Sequence, residues 1–276
     1  MYKRQEHFLK KELQFFPSIW FGYEQAKQNL KHGGNLYFPT EFTEGKESIK
    51  INGLIWMGNA DFMQKQIKEK LDLGFSCIKL KIGVNWTEEK EIIKQLRNIF
   101  SADELEIRVD ANGAFAPKEA LEVLHELAEL NIHSIEQPIK AFNKKEGISE
   151  QSSANIAEVC AVTPTPIALD EELIGVITYE DKNKLLNYLK PQYIILKPSL
   201  VGGFSGCDEW IAIADQNKIG WWITSALESN LGLNAIAQYT FTKKNPMPQG
   251  LGTGSLFTNN FESPLELKGD QMFFKG

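Results

Sequence analysis

From about residue 50 onward the chain alternates short β-rich runs with longer segments of helical periodicity, and no other feature narrows its fold as far. The runs are Ile49–Trp56, Cys77–Ile82, Leu105–Val109, Ser134–Glu136, Pro166–Leu169, Tyr193–Leu196, Gly220–Thr224 and Leu251–Leu256. Between the first two, Phe62, Met63, Ile67 and Leu71 recur at helical spacing behind Asp61, a residue suited to cap a helix start. Thr87-Glu88-Glu89 opens a second helical segment with Ile92, Ile93, Leu96 and Ile99 on its apolar stripe. Pro117 leads a third through Ala120, Leu121, Leu124, Leu127 and Ala128. Strands that alternate with helices form βαβ units, because neighbouring parallel strands need a long crossover between them. Seven or eight such units in succession fit a closed α/β barrel of the TIM type better than an open doubly wound sheet. Neither GxGxxG nor GxxxxGK[ST] follows any run, which argues against dinucleotide and P-loop chemistry.

Residues 1–48 do not follow the alternation. Phe15–Leu30 reads as one amphipathic helix entered through Pro17 and Ser18 and closed by His32-Gly33-Gly34, with residues 35–48 as a polar connector. Residues 49–256 carry the repeat, and Phe257–Gly276 lies outside it and is expected to pack back on the N-terminal piece. With 30 Lys and Arg against 36 Asp and Glu, the net charge is −6, so neither nucleic acid nor an anionic membrane is favoured as a partner. No apolar run is long enough to span a bilayer, and MYKRQEHFLKKELQ lacks the apolar core of a signal peptide, so a cytoplasmic location is expected. Cys77, Cys160 and Cys207 are widely spaced and odd in number, which fits reduced thiols rather than a disulfide framework or a zinc knuckle. Oligomeric state is left open.

Ionisable residues stand at the C-terminal ends of five successive runs: Lys79-Leu80-Lys81, Asp110-Ala111-Asn112, Glu136-Gln137, Asp170-Glu171 and Lys197-Pro198. From Lys81 onward they are 29, 26, 34 and 27 residues apart, one strand-and-helix unit each. In a barrel these ends meet on the face that carries active sites, and Lys79 and Lys81, two apart on one strand, point the same way. Each element alone has a plain structural reading: Lys-x-Lys as a solvated face, an Asp or Glu as a turn or capping residue, Gln137-Pro138 as a strand terminator. Taken together they do not, since turns have no use for Lys-x-Lys or for a lysine ahead of Pro198. Three carboxylates in one low-dielectric cup repel one another unless a cation sits among them. All-oxygen ligands on rigid strand ends suit a hard divalent ion, Mg²⁺ first and Mn²⁺ as its substitute. A lysine beside such an ion has its pKa lowered, by like charge and by burial, into the range of a usable base. The chemistry that fits is removal of a proton next to a carboxylate in a small-molecule substrate, with the ion stabilising the charge that develops.

As a set, Lys79-Leu80-Lys81, Asp110-Ala111-Asn112, Glu136-Gln137-Pro138, Asp170-Glu171 and Lys197-Pro198 resemble the enolase superfamily, in its muconate-lactonizing subgroup. Within that subgroup, Phe16-Pro17-Ser18, the stretch from Ile195 to Gly203, the stretch from Thr224 to Gly232 and Gly250-Leu251-Gly252-Thr253-Gly254 are similar to the o-succinylbenzoate synthase family. The resemblance spans residues 15–256 and implies a modified (β/α) TIM-type barrel with a partial N-terminal α+β capping domain, residues 1–48 being the remnant of the cap. It implies Asp110, Glu136 and Asp170 as metal ligands, with Glu171 beside the third and not itself a ligand. Lys81 would take the α-proton of a cyclohexadiene carboxylate and then protonate the departing hydroxyl on the same face, a syn dehydration in menaquinone biosynthesis. Lys197 would stabilise the charge from across the substrate, Lys79 would keep Lys81 deprotonated, and Asn112 and Ser225 would orient the substrate. N-acylamino acid racemases and dipeptide epimerases of the same superfamily use both lysines from opposite faces, so the motif fits them equally. So small a cap is also expected to leave the mouth wetter, as in a truncated, impaired relative with weak substrate binding. Arg108 reads as the partner of a barrel carboxylate and Trp221-Trp222 as barrel packing. Gly202-Gly203 reads either as a tight turn or as an anion site at the next helix start.

Overall fold

Two helices, α1 (Tyr2–Leu13) and α2 (Pro17–His32), and a two-residue strand β1 (Ile49–Lys50) precede the repeat in the computed structural model, which describes residues 2–141, 150–254 and 256–276. The repeat then runs β2 (Gly53–Ile55), α3 (Ala60–Asp72), β3 (Cys77–Lys81), α4 (Trp86–Ile99), β4 (Glu106–Asp110), α5 (Pro117–Glu129), β5 (Ser134–Glu136) and α6 (Glu150–Val162). It continues with β6 (Ile167–Leu169), α7 (Tyr179–Leu189), β7 (Tyr193–Leu196), α8 (Gly203–Gln216), β8 (Gly220–Ile223) and α9 (Asn230–Thr242), and a hairpin of β9 (Leu265–Lys268) and β10 (Gln271–Phe274) follows. Strands β2 to β8 pair in chain order, every neighbour parallel. Gln249 and Gly250 complete the ring, bridging in the parallel sense to Ile51 and Thr224.

Two expected strands are corrected. The run Ile49–Trp56 divides: Ile49 and Lys50 pair antiparallel with Met272 and Gln271, while Gly53–Ile55 enters the barrel. Gly53 marks the break because α3 comes close, and a Cβ there would lie 3.1 Å from side-chain atoms of Lys70 and Phe75. The last strand is not at Leu251–Leu256 but at Gln249-Gly250. A Cβ on Gly250 would fall 1.9 Å from Thr224 Oγ1, so only glycine lies this close to the end of β8, and residues 252–254 turn away.

The helices differ from expectation in smaller ways. Helix α1 adds to the expected elements a helix ahead of Phe15, over Tyr2–Leu13. Helix α2 begins at Pro17 rather than Phe15, and Gly33, at φ +76°, ends it. Asn59, not Asp61, caps α3: its Oδ1 accepts from Phe62 N at 2.9 Å, and Asp61 sits in the first turn, where its charge suits the helix dipole. On α4, Ile92, Ile93 and Leu96 are buried but Ile99, in the last turn, is exposed. The C-terminal hairpin meets the connector, with Phe274 against Phe42 and Ser48 Oγ donating to Gln271 at 2.8 Å.

Alternation along the strands gives two apolar cores among the described residues. The larger one, between sheet and helices, takes Ile78, Leu80, Ile107, Val109, Ile135, Leu169, Ile194 and Leu196. The smaller one fills the barrel interior with Ala168, Ile195 and Trp222, and Tyr193 and Met247 pack against it. Arg108 enters this interior with its guanidinium 4.3 Å from the Trp222 ring centroid. Its Nε donates to Glu106 Oε1 at 2.6 Å and its Nη1 to Pro248 O at 2.9 Å, so it pairs below the mouth and not with the strand-end carboxylates. The three cysteines are buried and free. Among the described residues no helix is long and apolar enough to cross a membrane.

Candidate active site

Along β3 the lysines alternate with Ile78 and Leu80, so the apolar pair packs on the helices and Lys79 and Lys81 face the barrel axis. The register sets Lys81 beside Asp110, and Asp110 beside Glu136. Asp170 directly follows β6 and Lys197 directly follows β7. At the mouth, Lys79 Nζ lies 3.1 Å from Asp110 Oδ2 and 2.6 Å from Glu136 Oε2. Lys81 Nζ lies 2.7 Å from Asp110 Oδ2 and 2.5 Å from Asn112 Oδ1. From the other side, Lys197 Nζ donates to Asp170 Oδ2 and stands 3.9 Å from Glu136 Oε1. The acidic row Asp110, Glu136, Asp170 is thus flanked by lysines at both ends.

Burial and charge compete within the row. Burial alone would raise Asp110, but Lys79 and Lys81 outweigh it and hold its pKa at about 2. Glu136 is pushed up to about 7 by burial and by the charge of Asp110, against the pull of Lys79. Asp170 is raised by burial, which Lys197 only partly offsets. Burial works against the charge on Lys79 and Lys197, yet both are raised, by Glu136 and Asp110 around the first and by Asp170 and Glu136 around the second. The lowered lysine pKa expected from the sequence is therefore not found for these two. That expectation presupposes a divalent cation among the carboxylates, whereas here the ammonium groups are the ions paired with them.

Among the described residues no group of three His, Cys, Asp or Glu side chains is set closely enough to hold a metal ion, and each carboxylate of the row is instead in contact with a lysine. The donor set nevertheless fits a hard cation. It is oxygen only, it rides on strand ends, and Glu136 Oε1 is buried with no hydrogen-bond partner among the described residues.

Asn112, in the left-handed region at φ +44°, accepts from Lys81 and donates to Glu171 Oε1 at 2.8 Å, so it ties the base candidate to the loop after β6. Ser225 is buried, with its Oγ 2.6 Å from Thr253 Oγ1 and accepting from Leu227 N at 3.1 Å, and it orders the loop after β8. Two supporting residues are not singled out by the sequence. Gln137 is more than a strand terminator: its Oε1 accepts from Asp170 N and Glu172 N at 3.2 and 3.3 Å, which fixes the turn that carries Asp170. Glu89 accepts from the N–H groups of Gly83, Val84 and Asn85 at 2.7, 3.1 and 3.1 Å and holds the turn after Lys81. A glutamate in the first turn behind a capping Asn85 is the available signal for Glu89; for Gln137 it is the place in Glu136-Gln137-Pro138 at a strand end, which does not show what the amide holds. A cavity of about 580 Å³ lies off the mouth, between α1, α2 and the loops after β6 and β7, and contacts none of the ionisable residues of the row.

Residues 62–272 match the model of a family described as enolase C-terminal domain-like. The chain is 50% identical over 256 residues to o-succinylbenzoate synthase of Desulfotalea psychrophila, which takes in 92% of this chain and 67% of that protein. It is 25% identical over 229 residues to L-Ala-D/L-Glu epimerase of Bacillus subtilis, 82% of this chain and 56% of that protein. The crystal structure of MenC from Desulfotalea psychrophila is similar with a TM-score of 0.79 at 48% identity, covering 87% of this chain and 64% of that one. The chain therefore spans about two-thirds of the length of the synthase it matches and little more than half of the epimerase.

Proposed function

Since the chain belongs to the enolase C-terminal domain-like family, we propose that it performs the reaction of an o-succinylbenzoate synthase, a hydro-lyase step toward menaquinone in which a cyclohexadiene carboxylate loses water. The chemistry rests on one observation: Lys81 and Lys197 approach a row of three buried carboxylates from opposite ends. The choice of substrate rests on likeness, which is twice as high to the synthase as to the epimerase.

Asp110, Glu136 and Asp170 are the residues that would hold Mg²⁺, or Mn²⁺ in its place. When bound, the ion supplies stabilisation for the negative charge that develops on the substrate carboxylate. Lys81, turned inward by the alternation of β3 and oriented by Asn112, takes the α-proton. The electron pair of that C–H bond becomes the new C=C bond as the C–O bond breaks, and Lys81 gives its proton to the departing hydroxyl. Both transfers use one face, so the elimination is syn. Lys197, paired with Asp170, keeps its proton and faces the developing charge as a fixed cation. Lys79 places a second positive charge on Asp110 beside Lys81. Asn112 and Ser225 orient the substrate, the first between Lys81 and Glu171, the second through the loop it shares with Thr253.

Purified protein in excess Mg²⁺ is expected to consume the cyclohexadiene carboxylate with loss of its ultraviolet absorbance. Chelation should abolish the reaction, and added Mg²⁺ or Mn²⁺ should restore it. If N-succinylamino acids exchange their α-protons in heavy water while the cyclohexadiene is untouched, an epimerase-type activity replaces this one.

A further inference from the structure

Helix α2 is fastened to the segment that carries Lys197. Ser18 Oγ donates to Ser199 O at 2.9 Å, and Trp20 Nε1 donates to Ser205 Oγ at 3.0 Å. The Glu24 carboxylate accepts from Phe204 N at 2.6 Å and from Ser205 N at 3.2 Å. Glu24 thus meets the orphan N–H groups at the start of α8, where a negative charge is favoured by those donors and by the helix dipole. The turn into α8 is shaped for this contact. Gly202 and Gly203 have φ of +101° and +73°, and a Cβ on Gly203 would lie 2.1 Å from Glu24 Oε2 and 2.9 Å from Trp20 Cδ1. The choice left open for Gly202-Gly203 is thereby decided: the turn is tight, and the anion at this helix start is a carboxylate of the same chain.

The pinned segment reaches the reacting face in two ways. Leu200 N and Val201 N donate to Lys197 O at 2.8 and 3.1 Å, and Gly203 N donates to Pro198 O at 2.8 Å, so the stretch from Lys197 to α8 is one hydrogen-bonded unit. Ser199 Oγ donates to Glu228, whose other oxygen accepts from Ala226 N at 2.8 Å, beside Ser225 in the loop after β8. We propose that Glu24 is a positioning residue: by pinning the start of α8 it fixes the backbone at Lys197 and so the place of the Lys197 ammonium opposite Lys81. The inference rests on the function proposed above. A backbone shift of about 1 Å at such a position is enough to cost roughly 100-fold in rate when it misplaces a reacting group.

Glu24→Gln keeps the size of the side chain but removes its charge and one acceptor. It is expected to lower kcat about tenfold with KM changed less than about twofold, the pattern of an interaction that matters in the transition state. In hydrogen exchange, the amides of Phe204 and Ser205 should exchange about tenfold faster while those of β3 and β4 stay unchanged. Glu24→Asp, which keeps the charge but draws the carboxylate back from Phe204 N and Ser205 N, should show the same confined acceleration, and it replaces Glu24→Gln if that variant does not fold. Unchanged exchange at these amides, or a raised KM with kcat intact, overturns the proposal. Exchange is read without substrate. If the wild-type chain turns over no cyclohexadiene carboxylate, the functional reading fails by itself, and exchange still upholds or overturns the clamp.

Discussion

Lys81→Ala is expected to lower kcat about a thousandfold, within the range that a positioned general base contributes. The melting midpoint should move little, because Asp110 keeps Lys79 as an ion-pair partner at 3.1 Å when Lys81 is removed. Arginine substitutions separate the two lysines by role. Lys81→Arg keeps the charge but cannot give up a proton near neutral pH, so it should be as inactive as Lys81→Ala. Lys197→Arg keeps what a fixed cation supplies and should retain far more activity. Equal losses from the two arginine variants would mean that both lysines exchange protons, which is the behaviour of a two-base epimerase and not of a one-face dehydratase. The measurement is steady-state turnover in excess Mg²⁺, with circular dichroism as the control on folding.

The largest effect on stability is expected from Trp222→Ala, a loss of about 3–5 kcal/mol. Trp222 is 1% exposed and, with Ala168 and Ile195, fills the barrel below the mouth. It also supports the Arg108 guanidinium at 4.3 Å and packs against the Tyr193 ring at 5.5 Å. Removing the indole opens a cavity and withdraws the aromatic face from a buried cation whose Nη2 already has no hydrogen-bond partner among the described residues. Trp222→Phe keeps a ring under Arg108 and should cost less, about 1–2 kcal/mol. Urea unfolding checks both. A loss below about 1 kcal/mol for the alanine variant would show that the interior collapses around the gap and that the indole is not what fills it.

The barrel is legible because strands buried on both faces are near-continuous apolar runs, and the polar residues that end them stand out against that background. That is why Cys77–Lys81, Ser134–Glu136 and Tyr193–Leu196 fall where the runs do, and why the acidic row and its lysines emerge together. Features decided by contacts between distant residues are not legible in the same way. The division of Ile49–Trp56 depends on Met272 and Gln271, and the shift of the last strand to Gln249-Gly250 depends on Ile51 and Thr224. Asn59 and Asp61 are both good capping residues two positions apart, and only the backbone shows which one accepts from Phe62 N. Gln137, Glu89 and Glu24 act on backbone N–H groups, which carry no residue identity, so the partners they hold are not readable even where the residue itself stands in a pattern, as Gln137 and Glu89 do. The charge state of Lys79 and Lys197 depends on which ions stand beside them, and residue spacing along the chain does not specify that.

The ring has one seam unlike the others. Pairing from β2 to β8 joins strands that are consecutive in the chain, whereas closing the ring brings Ile51 to Gln249, and the sheet beside it brings Ile49 to Met272, across most of the chain. Loop-closure entropy makes the consecutive pairings the cheaper ones to form, so the seam is expected to close last, after β2 to β8 have paired as an open curled sheet. On that route β2 and β8 are edges with unpaired backbone groups until Gln249-Gly250 pairs with Ile51 and Thr224. Opening of the ring is therefore expected first at Ile51 and Gln249-Gly250, far in sequence from the row of carboxylates that the rest of the ring holds in place.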